Sequence, residues 1–245
     1  MTDNDQEKPG SWKQSQKVLV ILAHPDDPEF FCGATLARWA RAGHTIHYFL
    51  LTCGDKGYEN PDEKADKICA RRHAEQQAAA AIIGVKSVRF LDLADGYLVP
   101  SIDLRREVVR AIRQEKPDIL VTCDPTRLYV GERGINHPDH RCAGQVVLDA
   151  VFPAAGNAHF FPELRRDEGL EPFTPREVWV SLPENPTVTF DITDTWEIKL
   201  RALHAHKSQI GDPAKFDERM RSRRTEDSSD EHPRFEEKFR VIKFN

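Results

Sequence analysis

The run Val18-Leu19-Val20-Ile21-Leu22-Ala23 stops at His24-Pro25-Asp26-Asp27-Pro28. Five aliphatic residues in succession fit a strand buried on both faces, as in a parallel sheet covered by helices. Pro25 and Pro28 prevent the strand from continuing. Asp27 suits the N-cap and Pro28 the first position of a helix. Phe31, Leu36, Trp39 and Ala40 give that helix an apolar face, and Gly43 ends it. His24, Asp26 and Asp27 are therefore expected at the carboxyl end of a buried strand, where open α/β sheets bind ligands.

The same alternation continues along the chain. A second apolar strand, 46–52, runs into Cys53-Gly54-Asp55-Lys56-Gly57. The Ala-rich stretch 65–83 reads as a helix ended by Gly84. A short strand at 88–91 leads to Asp95-Gly96, a helix at 103–114 follows, and strand 119–122 leads to Asp124. A loop over 126–136 precedes His137-Pro138-Asp139-His140 and a helix reaching about Val151. Strands and helices that alternate in this way predict a Rossmann-like α/β fold, mostly parallel, with helices on both faces of the sheet. The pattern becomes less regular near Phe152, with strands expected at 178–182 and 188–192 and a helix at 194–210 carrying His204 and His206. Residues 1–16 read as a flexible or loosely docked tail and 17–210 as a single domain. The charge-dense 211–245 reads as a partly mobile segment that regains order over 235–244.

Composition narrows the function. The net charge of −5 argues against a nucleic-acid binder that works by neutralising phosphates. No apolar run approaches the ~20 residues of a spanning helix, and the polar stretch 1–16 lacks the apolar region of a signal peptide. The five cysteines (Cys32, Cys53, Cys69, Cys123 and Cys142) are odd in number and contain no C-x-x-C pair. They suggest neither a disulfide framework nor a thiolate metal site, and a reducing cytoplasm is the simplest setting.

What remains is a set of polar groups at strand ends: His24, Asp26 and Asp27, then Asp55, Asp95 and Asp124, with His137, Asp139 and His140 close behind. Imidazoles and carboxylates together suit Zn²⁺, whose catalytic sites take three protein ligands and leave a position for water. A further carboxylate beside that water can act as general base. The plainer reading is that Asp26 or Asp27, and His137 or His140, are only helix caps or surface groups. It suits any one of them, but two His-Pro-Asp segments, each at a strand-to-helix junction, are hard to explain that way.

Ala23-His24-Pro25-Asp26-Asp27, the loop Gly54-Asp55-Lys56-Gly57, Arg72 with Glu75, and His137-Pro138-Asp139-His140-Arg141 together resemble the LmbE-like, or PIG-L-like, zinc-dependent N-acetylglucosamine deacetylases. Ala205-His206-Lys207-Ser208-Gln209 matches a further recurrent element, and the resemblance spans about 17–210. It implies that His24, Asp27 and His140 hold zinc and that Asp26 is the general base. It also implies that His137 stabilises the oxyanion or protonates the leaving amine, and that Asp139 orients His137. Arg72, Asp95 and His206 become candidates for contact with substrate. For Arg72 the plainer alternative is a helix-surface salt bridge with Glu75, for Asp95 a turn residue, and for His206 a satisfied structural group. Many members of the family carry an acid directly after the second aspartate. Here Pro28 intervenes, and Glu29 reads as a first-turn residue complementing the helix dipole.

The expected activity is removal of the N-acetyl group from a GlcNAc-containing small molecule or short glycan. The same metal core would serve a different amide, such as a thiol conjugate or a non-sugar acyl amine. A non-catalytic sugar- or nucleotide-binding protein is disfavoured, because no G-x-G-x-x-G follows the first strand. The expected partner is a small N-acetylated sugar, with no nucleic acid and no membrane insertion. Phe152, Phe160, Phe161 and Phe173 form either a homo-oligomer interface or, as favoured, a local satellite core.

Overall fold

A computed structural model describes residues 10–57, 60–131 and 134–244. The first half runs β1 (Lys17–Leu22), α1 (Asp27–Arg41), β2 (Thr45–Thr52), α2 (Ala65–Ile83), β3 (Ser87–Leu93), α3 (Ile102–Glu115) and β4 (Ile119–Cys123). A small hairpin, β5 (Tyr129–Val130) and β6 (Gly134–Ile135), precedes α4 (Pro138–Asp149). After an irregular helical turn at Ala150–Ala155 come α5 (Pro162–Arg166), β7 (Glu177–Ser181) and β8 (Val188–Asp191). The chain ends with α6 (Trp196–His204), α7 (Lys207–Ile210), α8 (Pro213–Arg221) and β9 (Glu236–Lys243).

Seven strands form one sheet in the order β3-β2-β1-β4-β7-β9-β8. Neighbours from β3 to β7 are parallel, and β9 runs antiparallel to both β7 and β8. The alternation in β1 divides the core. Val18, Val20 and Leu22 face a cluster containing Leu36 and Trp39, whereas Leu19, Ile21 and Ala23 face one containing Val108, Val146 and Val147. Helices thus cover both faces, as the apolar strand runs require. The chain winds outward from β1 through β2 to β3 and then crosses to β4 on the other side. The switch point lies between the carboxyl ends of β1 and β4, and His24 and the approach to α4 emerge there.

Three expectations need correction. First, the sheet does not stop near residue 210, because β9 is an inner strand between β7 and β8. Glu237 on β9 also reaches α1, which is kinked at Cys32. It accepts the Ala34 and Thr35 backbone N–H groups at 3.2 and 2.8 Å and pairs with the buried ammonium of Lys199 at 2.7 Å. Those N–H groups lie beside the kink, and the carboxylate satisfies them. Second, the stretch before β1 is docked over its described part. Trp12 packs edge-on against Trp39 and Trp179 at ring separations of 5.1 and 5.8 Å, and its indole donates to Glu177. Residues 1–9 lie outside the described residues. Third, Cys53 and Cys69 form a disulfide between the loop after β2 and α2, so the cysteines no longer argue for a reducing compartment.

Of the four phenylalanines, Phe160, Phe161 and Phe173 pack on the core, and only Phe152 is exposed, at 73%. No helix among the described residues is long and apolar enough to cross a membrane.

Candidate metal centre

α1 begins one residue earlier than the capping pattern suggests. Asp26, not Asp27, is its N-cap, with φ of 88° and no side-chain cap bond. Aspartate tolerates this left-handed conformation better than most residues. The two adjacent carboxylates go to different partners. One Asp27 oxygen lies 3.0 Å from His140 Nε2 and the other 3.4 Å from His24 Nδ1. Asp26 lies 3.2 Å from the Arg72 guanidinium, which also donates to the Pro25 carbonyl at 2.5 Å.

Each of the two histidines has its second ring nitrogen held by oxygen. His24 Nε2 faces Asp95 at 3.0 Å and Asp139 at 3.3 Å, and His140 Nδ1 donates to the Asn136 side chain at 3.0 Å. Imidazoles that bind metals typically donate their far N–H to an oxygen in this way, which fixes the tautomer. Ligand atoms on one tetrahedral ion at ~2.0–2.2 Å stand roughly 3.3–3.6 Å apart, close to the separations around Asp27. The donor set His24, Asp27 and His140 therefore suits a divalent cation in chemistry, with Asp27 oxygens 3.0 and 3.4 Å from the two imidazoles. Two other groupings are compact: the nitrogens of His24, His137 and His140, and the donors of His24, Asp95, His137 and Asp139, each lie within 4.8 Å of one another.

Electrostatics separates the two aspartates further. Burial raises the carboxyl of Asp26 to about 6, with Arg72 opposing that rise and the Asp27 charge adding to it. Burial acts on Asp27 too, but His140 and His24 outweigh it and hold this carboxyl below the usual range. For His24, burial alone would lower the pKa, and the charge of Asp27 together with bonds to Asp139, Asp27 and Asp95 carries it well above the ordinary value.

The other expected site residues fall into place unevenly. His137 is the N-cap of α4, and its Nδ1 accepts the Asp139 backbone N–H at 3.2 Å. Its ring centre is 4.6 Å from that of His24, and Nε2 lies 3.8 Å from Asp95. Asp139 contacts His137 through that backbone N–H, not through its carboxylate. The carboxylate instead accepts the N–H groups of Gly96 and Leu98 at 2.7 and 3.2 Å and faces His24, so it orients His24 and the 95–98 turn. Asp95 is buried at 6% exposure, and its own N–H donates to Asp55.

His206 requires a correction. It has no exposed surface, and its Nε2 meets Glu29 at 3.2 Å, so it stands behind the site and cannot touch a substrate there. Arg72 does not pair with Glu75, which instead accepts from the Ser208 N–H and hydroxyl. Arg72 is buried under the glycine loop: a Cβ at Gly57 would lie 2.6 Å from its guanidinium, and one at Gly54 3.0 Å.

Three residues were not singled out from sequence in this role. Gln76 joins Asp26 to Glu29, and it lies four residues after Arg72 on α2, a spacing that puts both on one helix face. Asn136 stands four residues before His140, the same spacing. Glu29 lies in the first turn of α1 as expected, and there it is a fully buried acceptor.

The fold and this cluster define a class: an α/β protein with a candidate His/Asp metal site at the topological switch point. Residues 19–151 match the family described as PIG-L, GlcNAc-PI de-N-acetylase, and the chain belongs to that family of deacetylases. It is 35% identical to a diacetylchitobiose deacetylase of Thermococcus kodakarensis, over 80% of this chain and 70% of the relative. It is 28% identical to a 1D-myo-inositol 2-acetamido-2-deoxy-alpha-D-glucopyranoside deacetylase of Actinosynnema mirum, over 79% and 81%. Its structure resembles that of N,N'-diacetylchitobiose deacetylase from Pyrococcus horikoshii with an inhibitor, at TM-score 0.83 and 28% identity, covering 94% of this chain and 85% of the other.

Proposed function

We propose that this chain is a Zn²⁺-dependent hydrolase that removes the acetyl group from an N-acetylglucosamine-containing small molecule. The observation that carries this reading is the pair His24 and His140 converging on the single carboxylate Asp27, with Asp26 turned away beside them. His24, Asp27 and His140 would hold the ion. When bound, it would supply Lewis-acid polarisation of the amide carbonyl and make a water molecule more acidic.

Asp26 is the general base. As a carboxylate it takes a proton from the attacking water, and with a pKa raised to about 6 it can hold that proton and pass it to the departing amine. His137 acts on the other side of the carbonyl. Because Nδ1 accepts a backbone N–H, the neutral ring carries its proton on Nε2. Burial, with the charges of His24 and His140, lowers its pKa and favours that neutral form. A neutral Nε2–H suits hydrogen bonding to the developing oxyanion better than delivering a proton to the amine. The same bond argues against His137 as a metal ligand, since ligation through Nε2 would place a hydrogen on Nδ1, against the Asp139 N–H.

The test is acetate release by zinc-loaded protein from a panel of N-acetylated sugars and non-sugar amides, alongside metal analysis. The reading expects about one zinc per chain and acetate from the sugars. Asp26→Asn should keep the metal and lose activity by roughly 10²–10⁴-fold, the usual worth of a general base. Full activity in that variant would remove Asp26 from its role, and turnover of the non-sugar amides alone would favour the broader amidase.

A further inference from the structure

Two cysteines frame the residue that touches the base. Cys53 follows β2 and immediately precedes Gly54, Cys69 lies on α2 one turn before Arg72, and a disulfide joins the two. The Arg72 guanidinium is pressed under Gly54 and Gly57 and reaches the Pro25 carbonyl and the Asp26 carboxylate. The disulfide therefore ties together the two elements that clamp Arg72: the glycine loop above it and the helix that carries it.

Few other contacts hold this clamp shut. No strand or helix lies between β2 and α2 among the described residues. On the loop, Gln209 donates to the Gly57 carbonyl, and Asp55 accepts the Asp95 N–H. From Ala65 to Ala74 only Ile68 and Arg72 are buried, and the other apolar anchors of α2, Ala79, Ala80 and Ile83, lie in its second half. The Arg71–Glu63 pair at this end is partly exposed, and such pairs add little. Segments with few buried apolar contacts open at low free energy, so the covalent bond has a large share in keeping the start of α2 against the loop.

The bond is also open to exchange. Cys53 is buried, at 3% exposure, but Cys69 is partly exposed. Exchange needs a thiolate to reach one sulfur, and accessible disulfides are the labile, regulatory ones. The other three cysteines, Cys32, Cys123 and Cys142, are free and buried.

We propose that Cys53–Cys69 is a reversible exchange site for a dithiol reductant, and that its redox state sets the docking of the glycine loop on Arg72 and hence the placement of Asp26. One thiolate of the dithiol attacks Cys69 Sγ, the S–S bond breaks, and Cys53 leaves as a thiolate that takes up a proton. The second thiolate of the dithiol attacks the reductant sulfur of the mixed disulfide and releases Cys69, which is protonated in turn. Two electrons pass to the cysteine pair, and the dithiol becomes a disulfide. The oxidised enzyme is the faster form, because only there is Arg72 clamped against Asp26. The inference rests on the deacetylase reading for its rate measurement alone.

Alkylation of the unfolded protein and mass spectrometry should count three free thiols before treatment with dithiothreitol and five after it. Reduced protein, desalted without air and reloaded with zinc, should melt cooperatively yet exchange amide hydrogens faster over 53–57 and 65–72. Reduction should lower kcat about tenfold with little change in KM, and reoxidation should restore it. In Arg72→Gln, reduction should lower kcat no further, since the group through which the clamp acts is gone. Five free thiols that glutathione disulfide cannot bring to three would overturn the proposal, as would exchange and kcat that ignore reduction. An equal further loss of kcat in Arg72→Gln would make the bond a general brace and overturn it too. If neither redox form releases acetate from any sugar, the deacetylase reading falls, and the thiol counts and exchange rates decide the redox site on their own.

Discussion

Gln76 ties Asp26 to Glu29. Its side-chain oxygen accepts the Asp26 backbone N–H at 2.8 Å, and its amide nitrogen donates to both Glu29 oxygens at 3.1 Å. Gln76, Glu29 and His206 are all inaccessible to solvent, so the left-handed turn at Asp26 is held from beneath by an interior network. Replacing Gln76 with leucine leaves the Asp26 N–H and the Glu29 carboxylate without this partner, at about 1–3 kcal/mol for each unsatisfied group. We expect Gln76→Leu to melt several degrees lower and to lose at least roughly tenfold in kcat as the base drifts, with zinc content unchanged. Calorimetry, metal analysis and steady-state rates on one preparation would check all three. An unchanged kcat would show that Asp26 needs no support from Gln76.

The pKa of Asp26 determines the acid side of the pH profile. A carboxylate raised to about 6 is more protonated at any given pH than an ordinary aspartate, and only its ionised form accepts a proton from water. Activity should therefore be full above that value and fall about tenfold per unit below it, so kcat/KM should bend near 6 and not near 4. Arg72 pulls this pKa down, so Arg72→Gln should move the bend upward. Profiles of kcat/KM at constant ionic strength decide the point, and a bend that moves downward on losing Arg72 would contradict the assignment.

The neighbouring carboxylate should behave differently. Asp27 lies between His24 and His140, whereas Asp26 touches neither imidazole nitrogen within hydrogen-bond range among the described contacts. Asp27→Asn should weaken zinc binding by roughly 10-fold or more, with activity partly restored by added metal, whereas Asp26→Asn should keep the metal and stay inactive. Titration with a competing chelator, followed by activity at rising zinc, distinguishes the two. Metal retained by both variants would move the ligand role to another grouping, such as His24, His137 and His140.

The parts of the molecule visible in sequence are those set by short-range pattern. The apolar run at 18–22 could only be a buried strand, and the two His-Pro-Asp segments follow β1 and β4, on either side of the switch point. What sequence left undecided depends on contacts between distant residues. Whether His206 faces solvent or the interior depends on Glu29, 177 positions away, and nothing in the local pattern of α6 and α7 reveals it. The charge density of 211–245 concealed β9, because the alternation of Glu237, Phe239 and Val241 is partly charged where Glu237 meets Lys199 inside the protein. The Cys53–Cys69 pair was missed for the same reason: only the packing of α2 under the glycine loop brings its Cα atoms to 5.0 Å. The family resemblance implies that Asp139 orients His137, whereas its carboxylate points back across the sheet end to His24, a contact that no local pattern reveals.

Packing behind α4 should matter to the metal as much as the ligands do. Gly144 lies against the end of β4, where an added Cβ would meet the Cys123 carbonyl oxygen at 2.3 Å and the Pro125 nitrogen at 2.9 Å. Helix propensity alone would make Gly144→Ala stabilising by roughly 0.8–1 kcal/mol. Here the clash is with backbone, which cannot swing aside as a side chain would, so α4 must shift away from the strand. Overpacking of this kind typically costs about 1–3 kcal/mol and outweighs the propensity gain. α4 carries His140 one turn before the contact, so the displacement also separates His140 from Asp27 on α1. We therefore expect Gly144→Ala to lower the melting temperature and the zinc affinity together, whereas Gly43→Ala, where no atom lies within 4 Å but φ is 88°, should lower only the melting temperature. Melting curves with and without zinc would measure both effects, and a Gly144→Ala protein as stable and as well loaded as the parent would show that α4 can move without disturbing the site.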